Sequence, residues 1–151
     1  MIHHNLENAG QCERLDHLIR GIEVAMLVTV DEDGMPRSRP MLMPARKFDG
    51  FLWFLTKASS HAVGEVAFNR RVNVSLASPE RQRYVSICGT VEVIYDRVAI
   101  EALWQPEYGA IFPLGLDDPD LALLKVAVED AEYWTSPMDA RVHVFGVIQV
   151  H

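Results

Sequence analysis

Residues 84–95 read YVSICGTVEVIY, and their alternation decides the fold class. Val85, Ile87, Gly89, Val91 and Val93 fall on one side of an extended chain, with Ser86, Cys88, Thr90 and Glu92 on the other. A period of two marks a strand with one face in a core and the other turned outward. The strand is long, and Gly89 at its midpoint predicts a bend of the kind that curls a long strand around a small barrel.

Working outward, VNVSLA (72–77) alternates in the same way, and DRVAIEALW (96–104) reads as a helix capped by Asp96 and ended before Pro106. Upstream, VAMLVTV (24–30) is a β-branched apolar run that stops at the turn signal DEDG. A second strand is expected over 36–47, where Pro40 lacks an N–H and so requires an edge or a bulge. The FDG turn leads into FLWFLT (51–56), and SSHAVGEVAFN (59–69) is expected as a short helix. Ser59 or Ser60 is its N-cap, with Val63, Val66 and Ala67 on one face. Helical spacing of Leu15, Leu18, Ile19 and Ile22 predicts a helix over 6–22 that stops near Gly21. After the loop YGAIFPLGLDDPD (108–120), strands are expected at 121–128 and 131–134. RVHVFGVIQV (141–150) then closes the chain with Val142, Val144, Ile148 and Val150 on one face. Six or seven strands without a crossover helix after each one predict an α+β, mainly β protein, an antiparallel barrel with short flanking helices. No repeat or linker divides it, so residues 1–151 form a single domain.

The bulk numbers narrow the function. Hydrophobic residues make up 49% of the 151, and the net charge is −7, which argues against a broad electrostatic grip on nucleic acid or anionic lipid. No apolar run approaches the roughly 20 residues needed to span a bilayer, and the first ten residues do not read as a secretory signal. Cys12 and Cys88 are far apart and carry no ligand spacing, which fits reduced thiols. These features place the protein in the cytoplasm.

One polar element stands out. Arg39 lies inside RSRPMLM (37–43), a run otherwise apolar or small after Arg37, and a buried guanidinium requires an acid or an anionic ligand. TKASSH (56–61) ends a strand and opens a helix, where free N–H groups and a positive dipole end meet the hydroxyls of Thr56, Ser59 and Ser60. If the strands before and after KFDG (47–50) pair, Arg39 and Thr56 come together as a phosphate site; a structural salt bridge at Arg39 is the other reading. Trp53, Trp104 and Trp134 are expected in packing roles. No nucleophile–base order, paired carboxylates or Gly-rich nucleotide loop is present, so no catalytic side chain is assigned. His3, His4, His17, His143 and His151 lack metal-ligand spacing, and DDPD (117–120) lacks the Gly and distal Glu of a calcium loop and reads as a solvated turn.

GMPRSRPM, LWFLTKASSHAVGEV, RVNVSL, YVSICGTVEVIYDRVAIEALW, FPLGLDDPDLALLKV and AEYWTSP, taken in order over about residues 10–138, resemble the general stress protein branch of the pyridoxamine 5'-phosphate oxidase-like, FMN-binding split barrels. The resemblance implies a six-stranded antiparallel split β-barrel acting as a homodimer, with FMN in the cleft between subunits. It further implies that Arg39 binds the flavin phosphate, that Pro40 and Met41 face the isoalloxazine, and that Leu55 and Thr56 touch the ring and the phosphate end. Ser60 and His61 would complete the phosphate cradle, and Tyr84 and Trp134 would approach from the other subunit. The chain departs from relatives that carry a lysine two residues after the serine, where it has Ala62. Its tail also lacks the basic signature of the true oxidases, so oxidation of pyridoxamine phosphate is not expected. The implied function is a flavin-dependent oxidoreductase using a small electron donor or acceptor. The alternatives are a flavin-holding (or other phosphate-cofactor) protein of the stress response without turnover, and a dimeric interaction module without cofactor.

Overall fold

The computed structural model describes residues 2–146. The chain runs α1 (Ile2–Ile19), β1 (Val24–Val30), β2 (Pro36–Leu42), β3 (Phe51–Lys57), α2 (His61–Phe68), β4 (Arg71–Ser78), β5 (Arg83–Ile94), α3 (Arg97–Leu103), β6 (Leu121–Trp134) and β7 (Val142–Phe145). Every pairing is antiparallel, in the order β3-β2-β1-β4-β5-β6-β7, and β3 also pairs with β6 over seven residues. That last ladder closes six strands into a barrel, leaving β7 outside on β6. The expected six-stranded split barrel is what the chain forms.

The strands of the 84–95 region behave as their alternation implies. Val85, Ile87 and Val91 are buried, Cys88 and Glu92 are exposed, and β4 buries Val72, Val74 and Leu76 in the same rhythm. The end of β3 (Phe54–Thr56) and the start of β6 (Leu121–Leu124) are covered on both faces, so burial there is continuous instead of alternating. Inside the barrel lie Leu27, Phe54, Val74, Ile87, Leu124 and Val126. Outside, Leu55 and Leu123 meet Ile100 and Leu103 of α3 with Tyr108 and Phe112 of the following turns. Each large side chain buried in these two cores contributes about 1.5–3 kcal/mol. Trp104 packs edge-on to Tyr108 at 5.7 Å in the outer cluster, and Trp53 is half-buried against it with Arg46 and Lys125 over its ring.

Several boundaries differ from the sequence expectation, each for a local reason. The helix begins at Ile2 and ends at Ile19, with Gly21 at φ +85 turning the chain into β1. β2 stops at Leu42 instead of reaching 47. Met43 N still donates to Glu23 O at 2.8 Å, but Pro44 has no N–H and the chain leaves the sheet. α2 turns Ala62, Val63 and Val66 inward and leaves Ala67 exposed. Residues 121–134 are one strand with a bulge, not two strands. The register passes from Cys88↔Asp130 to Gly89↔Val128, so Glu129 has no opposite number on β5. Pro40 falls in the part of β2 whose second edge is unpaired, as its missing N–H requires. The expected placements of Ile148, Val150 and His151 lie outside the described residues. No helix among the described residues is long and apolar enough to cross a membrane.

Gly89 sits where β5 bends over the bulge, and a Cβ there would lie 2.2 Å from the Ala127 carbonyl oxygen. Because the obstacle is backbone, Gly89→Ala should destabilise the fold by about 1–3 kcal/mol or more, as overpacked cores do. Urea unfolding reads this as a lower midpoint at an unchanged slope; an unmoved midpoint would mean that β6 yields without cost.

Candidate functional site

β2 and β3 share a single rung, Leu42↔Leu55, before they part. The gap between them opens into a cleft of about 770 Å³. Its walls include Arg39, Pro40 and Met41 from β2, Leu55 and Thr56 from β3, and Ser60 and His61 at the start of α2. Seven of the nine residues singled out in the sequence are therefore brought together, although the hairpin expected to join them is open. Met41 and Leu55 are mostly committed to the inner and outer cores, so little of their side chains is left to the cleft. Tyr84 and Trp134 do not line it. They stand opposite one another across the β5–β6 ladder, elsewhere on the barrel.

The α2 end of the cleft is rich in donors. Ser60 caps the helix by accepting from Val63 N at 3.4 Å, and its hydroxyl lies 3.3 Å from that of Thr56. The amides of His61 and Ala62 belong to the first helical turn, which has no preceding carbonyls to take them. Two hydroxyls, two amides and a guanidinium are a donor set that fits a phosphate. Lys57 and His61 are exposed at the rim.

Ser59, by contrast, points to the DDPD segment. Asp120 accepts from Ser59 N at 2.9 Å and from Ser59 Oγ at 2.8 Å, and its carbonyl accepts from Ala58 N at 2.7 Å. Asp118 holds Asp120 in turn, taking its amide at 2.9 Å. The segment read as a solvated turn is a clamp on the turn that leads into α2.

Arg39 resolves both halves of its sequence reading: it has an acid partner, and that partner is in the cleft. Arg39 Nη2 donates to Glu65 Oε2 at 2.8 Å, while Nη1 donates to Thr29 Oγ1 at 2.7 Å and to Leu27 O at 3.3 Å. The Thr29 hydroxyl donates to the same Glu65 oxygen. That hydroxyl first, and then the Arg39 guanidinium, hold the Glu65 carboxyl below the usual carboxylate range, against partial burial and the charge of Asp31. At the rim Arg37 pairs with Asp31 at 3.0 Å. Thr29 and Glu65 were missed in the sequence. The available signal was Thr29, a hydroxyl at the position after Ala25 and Leu27 in a strand whose other inward side chains are apolar. Ile111 and Phe112 also line the cleft, from a loop that carries no local sign of such a role.

A smaller cavity of about 460 Å³ lies between α1 and the chain after β2. Arg20 is paired there with Asp16 and Arg46 with Asp49, and no Ser, Thr or Tyr hydroxyl lines it beside Glu23 and Lys47, so it makes no comparable donor set. Among the described residues no three His, Cys, Asp or Glu gather as a metal site.

The clamp gives a test of how the α2 turn is held. Asp120→Ala removes both acceptors of Ser59, so amide exchange at 58–62 should quicken by on the order of tenfold while the barrel strands stay protected. Equal exchange in the variant would show that the turn holds itself.

Comparison with known proteins agrees with this architecture. No curated protein sequence matches the chain. Among solved structures, a protein from Clostridium acetobutylicum related to general stress protein 26 aligns with a TM-score of 0.76 at 22% identity, over 88% of this chain and 94% of that one. General stress protein 26 of Bacillus anthracis aligns at 0.73 and 21%, over 87% and 97%. The general stress FMN/FAD binding protein of Xanthomonas citri aligns at 0.70 and 25%, over 95% and 97%. The family model described as pyridoxamine 5'-phosphate oxidase like matches residues 10–150, and the chain belongs to that family.

Proposed function

We propose that the cleft between β2 and β3 holds the phosphate end of a flavin, FMN in the first instance, and that the protein is a flavin-dependent oxidoreductase of the general stress protein type. The observation that carries the reading is the convergence of Arg39, Thr56, Ser60 and the first turn of α2 on one cleft. A structurally similar protein of 25% identity binds FMN or FAD, which supports the choice of ligand. A bound flavin supplies hydride or single-electron transfer; the chain supplies position and electrostatics. In this reading Thr56, Ser60 and the α2 amides orient the phosphate, and Arg39 balances part of its charge. Pro40, exposed on β2, offers an apolar edge to the ring.

The single-chain cleft is open, and Tyr84 and Trp134 lie away from it. We therefore place the site between two copies of the chain, with Tyr84 and Trp134 of the second copy closing over the flavin. The electron donor or acceptor is a small molecule, and the protein works in the cytoplasm. Oxidation of pyridoxamine phosphate is not part of the reading.

Absorbance after adding excess FMN and desalting tests the ligand directly. Near-stoichiometric flavin bands are expected, and Arg39→Ala should weaken FMN by about tenfold or more, since a charge-assisted hydrogen bond is worth ~1.5–3 kcal/mol. An unchanged titration of that variant would take Arg39 out of the site. Reduction of the retained flavin by a nicotinamide donor then separates an enzyme from a flavin carrier.

Dilution tests the shared site. Flavin release should follow dissociation of the dimer, measured by fluorescence of freed FMN alongside sedimentation. A monomer that keeps its flavin would confine the site to one chain.

A further inference from the structure

Arg39 carries five N–H groups. Both on Nη1 are spent, on Leu27 O and Thr29 Oγ1, and one on Nη2 goes to Glu65. The Thr29 hydroxyl is wholly buried and directs its own proton to the same Glu65 oxygen, so the three side chains form a closed set. The edge of the guanidinium left for a ligand is Nε with Nη2. Glu65 already stands at Nη2, and its side chain keeps only 17% of its exposure. A phosphate drawn to that edge meets a carboxylate in a partly desolvated place, where like charges repel more strongly than in water.

The charged and titratable groups that share the cleft with Glu65 come from every element around it. Arg37 and Arg39 lie on β2, Asp31 in the turn after β1, Lys57 at the end of β3 and His61 on the same helix. Arg37 is committed to Asp31, which leaves Lys57 as the one formal cation of the cleft without a carboxylate partner among the described residues. It is exposed and ends a strand at the rim, and makes no ion pair or side-chain hydrogen bond with Glu65. A phosphate at the free edge of Arg39 would therefore share that guanidinium with Glu65.

We propose that Glu65 sets the charge balance at Arg39: a phosphate ligand on the free Nε–Nη2 edge shares the guanidinium with the Glu65 carboxylate, and its binding is accompanied by uptake of a proton from solvent onto that carboxyl. The inference rests on the reading that the flavin phosphate is held at Arg39. Its pH consequence has a definite sign. Without ligand, the Thr29 hydroxyl and then Arg39 keep the carboxyl below its usual range, so it is ionised near neutrality. With a phosphate on the free edge of Arg39, the carboxyl gains a neighbouring anion and shares its cation, and its affinity for a proton rises. The bound state therefore holds more protons than the free state, and affinity falls as pH rises through the window between the two. The phosphate's own second ionisation, near pH 6, lies in the same region and has to be separated from it.

Glu65→Gln makes that separation, because it keeps shape and phosphate chemistry and removes only the competing charge. Calorimetric titration of FMN into the wild-type protein and E65Q, at about pH 6 and about pH 8 in two buffers of different ionisation enthalpy, counts the protons. The wild type should take up protons in excess of E65Q, and E65Q should bind FMN about tenfold tighter at the higher pH. E65Q that retains FMN where the wild type does not would support the same conclusion. Equal affinities and equal proton counts, with FMN bound, would overturn the role of Glu65 and leave the flavin reading standing. Failure of both proteins to bind FMN at either pH would overturn the flavin reading, and the inference with it.

Discussion

The barrel is closed at every seam but one. β3 gives seven residues to β6 and a single rung to β2, and the fold's chemistry follows from that imbalance. Pro40 cannot donate to a ladder, and Pro44 ends any extension of β2, so the chain itself forbids a longer β2–β3 pairing. An unpaired edge of this kind is a liability in a β protein, commonly protected by proline and charge. Here the protecting groups, Pro40, Arg37 and Arg39, are also the groups that make the gap a polar cleft.

Arg39 ties that cleft to the core. Its partners come from β1 (Thr29 and the Leu27 carbonyl) and from α2 (Glu65), so one guanidinium joins three elements at the mouth of the barrel. A partly buried ionic network of this sort holds because each member is satisfied, and removing one leaves another charge or hydroxyl uncompensated. The site is thus part of what fixes α2 on the barrel. α2 has eight residues, short enough that packing and capping, more than propensity, hold it in place.

The sequence was legible where one residue type carries one physical demand. Alternation in β4 and β5, the glycine at the bend and a serine cap on α2 each encode a local geometry, and each appears where the sequence puts it, the cap falling on Ser60 of the two serines offered. Arg39 was legible as a charge in need of a partner, but its partner was not. Glu65 is 26 residues away in sequence on an otherwise ordinary helix, and only the closure of the barrel decides that it faces β1. The same holds for Asp120, 61 residues from Ser59, whose acidic neighbours made it look like a solvated turn. The bulge at Glu129 was read as a break because alternation fails there, although the backbone continues. Periodicity reports faces; it does not report which distant face is opposite.

The cleft's charge balance explains why these long-range partners matter. Ala62, 3% exposed, brings no cation to the cleft, and Glu65 offsets Arg39. Formal charge at Arg39 alone then gives a phosphate little to gain, with Lys57 exposed at the rim, and the α2 dipole adds only about half a unit at its N-terminus. In the proposed reading, most of the grip falls to neutral donors: the Thr56 and Ser60 hydroxyls and the first amides of α2. Neutral donors bind an anion well only when they are already aimed, because their energy is lost if they must first be ordered. The Asp118–Asp120 turn supplies that order by fixing Ala58 and Ser59 just ahead of the helix. In the proposed reading, the phosphate end of the cleft thus leans on the acidic segment behind it, which holds the donors still without meeting the ligand.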